Sequence, residues 1–353
     1  MKKICLNLAL GICSLLAISC SNTKQVLLQT TAPSPVMLSG QIKKIGIVNS
    51  SEVSTGVEGE TKGMGNLLVA QEKWLTEKGK DAAIEGLFDE LLKDKRFDDV
   101  KLLDSVQLEG HGSAENSIPW SSIAQLCETH NVDAIFALAF YETDTKISIK
   151  KSSMLQPNLM RVKEKVPAQE LTMETLIENG WRIYSPKSRQ VIDEIVFNDQ
   201  FVSSGKGTDT FAAYQAIGDR KETLIQQSKT SGINYGQRLL PFERTITREY
   251  FSKGSENLVL ADKLISQGDW EGAGQLWAID VDHEDTKIRG RSCHNLAVLN
   301  EKNDNLEIAF QWASKAYENS RDEKEQDYMG ILEKRLEDKG LLMNQMAQLD
   351  FAK

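Results

Sequence analysis

Cys127 and His130 stand three positions apart. On a helix that is one turn, a spacing that could seat a metal ion or activate a thiol. Two ligands are too few to hold a metal alone. Cys127 also continues the apolar face set by Ile123 and Leu126, so the expectation is a buried, inert thiol. Asp280, Asp282, His283, Glu284 and Asp285 crowd enough carboxylate into six positions to attract Ca²⁺. They lack the glycine that a calcium loop needs, and read instead as a polar turn. Gly59, Gly63 and Gly65 supply a glycine-rich loop where a phosphate could rest, but no Lys-Ser/Thr pair follows. HExxH, GxSxG and GxxxxGK[ST] are all absent. Four histidines, none beside a Ser/Asp pairing in sequence, offer no triad to name. Six tryptophans raise the question of sugar stacking. At least three fall at core positions of strands or repeats, where packing explains them. The expectation is therefore no catalytic residue, no metal and no cofactor.

The elements that would position these residues fall into two blocks. Residues 42–252 read as an α/β domain, a mixed sheet flanked by helices. It opens on a strand over 43–48, then a helix over 80–93 with Ala83, Ile84, Leu87, Phe88, Leu91 and Leu92 at helical spacing. A second strand follows at 100–103, then a helix burying Ile123, Leu126 and Cys127, with Asn131 as a left-handed stop. Ala134 to Phe140 is apolar on both faces, as a covered central strand must be. A hairpin pairs 180–184 with 190–197, a helix covers 208–227, and 242–251 alternates as a last strand. Residues 52–80 carry no clear pattern.

From residue 253 the pattern is purely helical. Leu260-Ala261, Gly268-Asp269-Trp270 and Ala273 recur as Leu296-Ala297, Asp304-Asn305 and Ala309, both alanines at an offset of 36. This resembles the tetratricopeptide repeat, whose small residues let paired helices pack closely. The domain over 253–353 would thus be all-α, two repeats closed by a capping helix from Glu323 to Asp338. Two repeats are fewer than usually stand alone, so they must lean on the α/β domain, the capping helix or a partner. The resemblance implies that the first helices of the repeats line a concave face. Carried onto this chain, the exposed partner-binding candidates are Asp262, Arg291, His294, Val298 and Glu301. The alternative is that this face docks on the chain's own α/β domain.

The first twenty residues supply an address. Lys2 and Lys3 precede an apolar run from Ile4 to Leu16, too short to span a bilayer, and then Ala17-Ile18-Ser19-Cys20. This resembles the lipobox of bacterial lipoproteins. It implies that residues 1–19 are a signal peptide and that Cys20 carries the lipid; an ordinary secretory signal and a transmembrane anchor are the alternatives. No acidic run follows Cys20 and no Asp stands beside it, which by the same resemblance implies the outer membrane, periplasmic leaflet. Surface exposure is the other possibility. Residues 20–41, with two prolines and no periodicity, read as a lipidated tether.

Loss of residues 1–19 removes two lysines and no acid. That leaves 40 basic against 51 acidic side chains, a net charge of −11. Nucleic acid is thereby an unexpected partner, and so is an anionic membrane held by charge. No other run is apolar enough for a transmembrane helix. Cys127 and Cys293 fall in different domains and read as buried small hydrophobes, a framework too sparse for a disulfide scaffold.

The order of elements in the α/β block, with Asn131-Val132-Asp133-Ala134-Ile135-Phe136 leading its buried strand, resembles the curli secretion lipoprotein and the LpoB-type activators of peptidoglycan synthases. Joined to the lipobox and the repeats, it resembles a family of Bacteroidota lipoproteins with no known catalytic residues. The expected function is a non-catalytic, lipid-anchored envelope scaffold or adaptor. The rivals are a surface glycan- or nutrient-binding lipoprotein and an envelope hydrolase with an unrecognised site.

Overall fold

The computed structural model describes residues 22–51, 53–59, 65–103 and 119–351. Cys20 and most of the glycine-rich 59–65 loop lie outside the described residues. In chain order the elements are β1 (Thr23–Ala32), β2 (Lys44–Asn49), β3 (Val53–Gly59), α1 (Gly65–Leu91), β4 (Asp99–Leu102), α2 (Trp120–His130), β5 (Ala134–Pro157), β6 (Lys163–Ser185), β7 (Gln190–Gly207), α3 (Thr210–Gln215) and α4 (Arg220–Gln237). There follow β8 (Phe242–Phe251), α5 (Glu256–Ser266), α6 (Trp270–Ile279), α7 (Thr286–Lys302), α8 (Leu306–Ser320) and α9 (Glu323–Phe351). Of the described residues, 22–33 and 242–344 form one compact unit, and 34–241 with 345–351 form the other.

The second unit is a mixed sheet flanked by helices. Its strands run β4-β2-β5-β6-β7, and β3 joins β5 further along. β2 pairs in parallel with β4 and with the start of β5, whereas β5, β6 and β7 are antiparallel. Alternation decides which side chain meets which helix. Ile45, Ile47, Ala134, Phe136 and Leu138 join Leu75, Ala83, Leu87, Leu224 and Tyr235 of α1 and α4 on one face. Val48, Ile135 and Ala137 join Ile123, Leu126 and Cys127 of α2 on the other. The run 134–140 is apolar on both faces because both are covered. α1 and α4 cross closely at Gly232, where a Cβ would sit 1.9 Å from the carbonyl oxygen of Ala83.

Several elements differ from expectation. The helix expected at 208–227 is two, α3 and α4, the second running on to Gln237, and the capping helix runs past Asp338 to Phe351. The helix expected at 80–93 begins at Gly65. The strands expected at 134–140, 180–184 and 190–197 extend into long arms, and β5 and β6 pair without interruption from Phe140↔Gly180 to Pro157↔Lys163. Most consequentially, the expected tether is folded: Thr23 to Ala32 pairs with β8 in full antiparallel register, Thr23↔Phe251 to Ala32↔Phe242. β8 is a strand, as expected, but it and β1 make a two-stranded sheet of their own within the helical unit rather than the α/β domain. Leu28, Thr30 and Ala32 alternate inward in β1, a period that the neighbouring threonines and prolines hide.

The C-terminal block is all-helical. Ser255, Asp269 and Asp285 cap α5, α6 and α7 by accepting from the N–H groups of Leu258, Gly272 and Lys287. Ala261, Ala273, Ala297 and Ala309 are each fully buried. Ala297→Leu or Ala309→Leu adds volume where none is free. Either is expected to cost about 1–3 kcal/mol, read as a lowered thermal midpoint. An unchanged midpoint would show that these positions are not close contacts.

Candidate functional site

The five residues expected on the concave face do come together, on α5 and α7, but the face is filled. Asp262 Oδ2 lies 2.7 Å from Lys24 Nζ of β1, and its Oδ1 accepts the Tyr250 hydroxyl at 2.9 Å. Arg291 Nη1 donates to the Lys253 carbonyl at 2.8 Å, with its guanidinium 5.3 Å over the Phe251 ring. His294 Nδ1 is 2.8 Å from Glu325 Oε2 of α9, and its Nε2 is 3.0 Å from the Glu249 carbonyl. Val298 is fully buried among Ala297, Ala309, Ala313, Tyr328 and Leu332, with Val26 of β1 packed on them. Glu301, also fully buried, accepts from Arg248 Nε and Nη2 at 2.7 and 2.8 Å, Arg335 Nη1 at 2.8 Å and the Tyr328 hydroxyl at 2.8 Å.

These residues are thus corrected from exposed partner contacts to an internal interface. The physical reason is satisfaction: each polar group already has its partner on β1, β8, the turn after β8 or α9. The occupant is the β1–β8 ribbon of the same compact unit, not the α/β domain that the internal-docking alternative named.

Sequence reasoning missed the residue that grips the ribbon most directly. Asn295 Oδ1 accepts the Phe251 N–H and its Nδ2 donates to the Phe251 carbonyl, both at 2.7 Å. One amide thus takes the donor and the acceptor of an extended residue, as a neighbouring strand would. A buried Asn between Cys293 and Leu296, one turn before Val298 and Leu299, was the available signal.

Electrostatics fit the same description. Burial pushes the Glu301 carboxyl up, but its bonds to Arg248, Arg335 and Tyr328 outweigh that and hold it below the usual carboxylate range. Burial pushes His294 down, and Glu325 together with the Glu249 carbonyl more than reverses it, so its pKa is raised. Burial, aided by Asp262, raises the Tyr250 phenol.

The other chemistry-bearing residues are structural. Cys127 and Cys293 are free and buried. Burial, with Asp133 adding to it, pushes the Cys127 thiol up to about 11, far from a thiolate at neutral pH. Asp280 is not the solvated turn residue expected. It is buried and accepts from Ser255 Oγ and, at 2.6 Å, from Asn257 Nδ2. Trp181 and Trp277 are fully buried. In the sheet unit, a concavity of about 750 Å³ is lined in part by Gln41, Asp133, Ser185 and Lys187. Asp133 Oδ2 is committed to the N–H groups of Lys43 and Lys44, both at 2.8 Å, and Lys187 to Gln41. Among the described residues that line it there is neither a carboxylate pair nor a His-Ser pair. Among the described residues no group of three or more His, Cys, Asp or Glu is placed to hold a metal ion, and no helix is long and apolar enough to cross a membrane.

Comparison with solved structures finds distant neighbours. A neuraminyllactose-binding hemagglutinin homologue from Helicobacter pylori shares 11% identity over 66% of this chain and 96% of its own, with a TM-score of 0.27. The PelC dodecamer protein from Paraburkholderia phytofirmans shares 10% over 62% of this chain and 98% of its own, with a TM-score of 0.21. The hypothetical protein CT253 from Chlamydia trachomatis shares 11% over 56% of this chain and 98% of its own, also at 0.21. Similarity at that level says nothing about function. No curated protein matches the chain significantly. Residues 259–334 match the model of a domain of unknown function, DUF6340. Residues 42–251 match that of another, DUF8603, and since this second match spans more than half of the chain, the protein belongs to the DUF8603 family.

Proposed function

We propose that the protein is a lipid-anchored, non-catalytic adaptor of the bacterial cell envelope. It would sit on the periplasmic leaflet of the outer membrane and act through protein contacts of its helical, tetratricopeptide-like unit. The observation that carries this reading is the fate of the segment after Cys20. β1 begins at Thr23, three residues beyond that cysteine, and is locked to β8 over ten rungs. β8 is in turn gripped by Asn295, His294 and Glu301 through its backbone and Arg248. A lipid on Cys20 would therefore be only two residues from the strand that the helical unit holds. The inner face being filled, partner contact falls to outer positions such as Val259 and Leu260, exposed on α5.

The anchor is tested with a radiolabelled fatty acid. Wild-type protein is expected to incorporate label and to stay with membranes through a carbonate wash, which strips proteins held by charge alone. Cys20→Ser is expected to lose the label entirely. Label retained in that variant would place the lipid elsewhere or abolish the assignment.

A further inference from the structure

The β5–β6 hairpin outgrows its sheet. The described part of β3 pairs with β5 as far as Ile147, and β7 with β6 as far as Gln169. Beyond those points, among the described residues, Ser152–Pro157 and Lys163–Ala168 pair only with each other, a two-stranded finger of six rungs and roughly 20 Å. Such a ribbon is marginal in water on its own. Its end is nonetheless well formed: Asn158 Oδ1 accepts the N–H groups of Met160 and Val162 at 2.9 and 3.0 Å, and its Nδ2 donates to Glu164 at 2.7 Å. That turn displays apolar side chains outward. Leu159 is 106% exposed, Met160 82%, Leu155 63% and Val162 58%.

Charge is segregated to the same place. From Ser148 to Ala168 there are five cations, Lys150, Lys151, Arg161, Lys163 and Lys165, against the single acid Glu164, in a chain of net charge −9. Rung pairing sorts them further. Leu155 faces Lys165 and Pro157 faces Lys163, so Leu155, Lys163 and Lys165 share one face, within about 7 Å of the last rung. Glu164 is on the other face, bonded to Asn158. Among the described residues Arg161, Lys163 and Lys165 have no ion-pair partner.

We propose that this fingertip binds an anionic lipid surface. The finger offers a convex apolar end with cations just behind it. That is the profile of an element that sinks 5–10 Å into the headgroup boundary while its lysines snorkel to the phosphates. An acidic protein partner would pair with the cations but leave the fully exposed Leu159 and Met160 uncovered. The negative charge of the whole chain, which argued against such contact, is overcome locally because charges more than about 10 Å away are screened at physiological salt. The inference is independent of Cys20 acylation.

The test is flotation of the mature chain, residues 20–353, carrying Cys20→Ser, with vesicles of phosphatidylcholine alone or with added phosphatidylglycerol. The protein is expected to float with the anionic vesicles only, and to be released by high salt. Lys163→Glu with Lys165→Glu removes two cations and adds two acids, and should weaken binding by on the order of 100-fold. Leu159→Ser with Met160→Ser, which keeps every charge, should weaken it at least roughly 10-fold. All four positions are exposed, so both variants should melt like the parent. No flotation of the parent, equal flotation with neutral vesicles, or flotation indifferent to either pair would overturn the proposal. So would a change in sedimentation of the Leu159/Met160 variant without a change in flotation, which would make the occupant a second copy of this chain.

Discussion

Glu301→Ala is expected to destabilise the helical unit by about 3–5 kcal/mol, because it strands two buried guanidiniums. The carboxylate is inaccessible, while Arg248 and Arg335 are 15% and 9% exposed and both aim at it. Asp304, 3.6 Å from Arg335, can take up part of one charge; among the described residues Arg248 has no second carboxylate and keeps only the Thr247 carbonyl at 3.0 Å and the Tyr328 ring. The Tyr328 hydroxyl also loses its acceptor. Hydrogen exchange reads the effect where it arises. Amides of α7 should lose protection by roughly 100- to 4,000-fold, since each 1.4 kcal/mol is a factor of ten, and Glu301→Gln, which keeps the volume and an acceptor, should lose less. The pH dependence follows from the two shifted groups. Glu301 is depressed, so its contribution is present above the unfolded carboxyl value near 4.3 and fades as pH falls through the folded value. His294 is raised, so its contribution is present below about 6.5 and fades as pH rises through its folded value. Both are in force between those limits, and α7 protection should peak in mildly acidic buffer. Protection that rises steadily to pH 8, or an Ala variant indistinguishable from the parent, would mean that the hub does not hold the ribbon.

Where burial is carried by apolar residues, the fold was legible. Ala134 to Phe140 announced a doubly covered strand, and the 36-residue recurrence of alanines placed two pairs of close helix contacts. Legibility failed where polar side chains do the inward-facing work. Along β5 the buried positions after Phe140 are Tyr141, Thr143, Thr145 and Ile147, alternating with Glu142, Asp144, Lys146 and Ser148. The period of two is intact, but two threonines stand where a hydropathy reading wants Val or Ile. β1 is hidden in the same way by Thr30. On the inner face of the repeats the error was of another kind. Mixed charge at Asp262, Arg291, His294 and Glu301 reads as a solvated, partner-ready surface until complementary charge is found at Lys24, Arg248, Glu325 and Arg335, and no local pattern links positions that are 31 to 238 residues apart. Sequence could place these residues on one face, but not say that the chain itself would cover it.

The threonines hidden in the arm lead to the second large effect. Arg220 of α4 and Glu72 of α1 form a bidentate pair, Nη1 to Oε1 at 2.7 Å and Nη2 to Oε2 at 2.5 Å, with both side chains at most 5% exposed. Arg220 Nη2 also donates to Thr145 and Thr175, each at 3.1 Å, and those two residues are rung partners on β5 and β6. The pair thus ties two helices to the stem of the arm that carries the basic fingertip. It is an expensive tie, since two ions are desolvated and Arg220 Nε is buried with no partner among the described residues. Arg220→Met or Glu72→Met alone leaves the surviving charge uncompensated, and each is expected to cost about 3–5 kcal/mol in chemical denaturation. The double variant removes both charges at once. Thr145 and Thr175, already hydrogen-bonded to each other at 3.3 Å, keep that bond, and methionine fills irregular space readily. The double variant should therefore be more stable than either single one, a strongly non-additive cycle. Costs that simply add would show that the two side chains contribute separately, through packing rather than through each other. Flotation with anionic vesicles provides the second readout. If the tie only supplies stability, the double variant binds like the parent; if it also sets the attitude of the arm, binding falls although the fold survives.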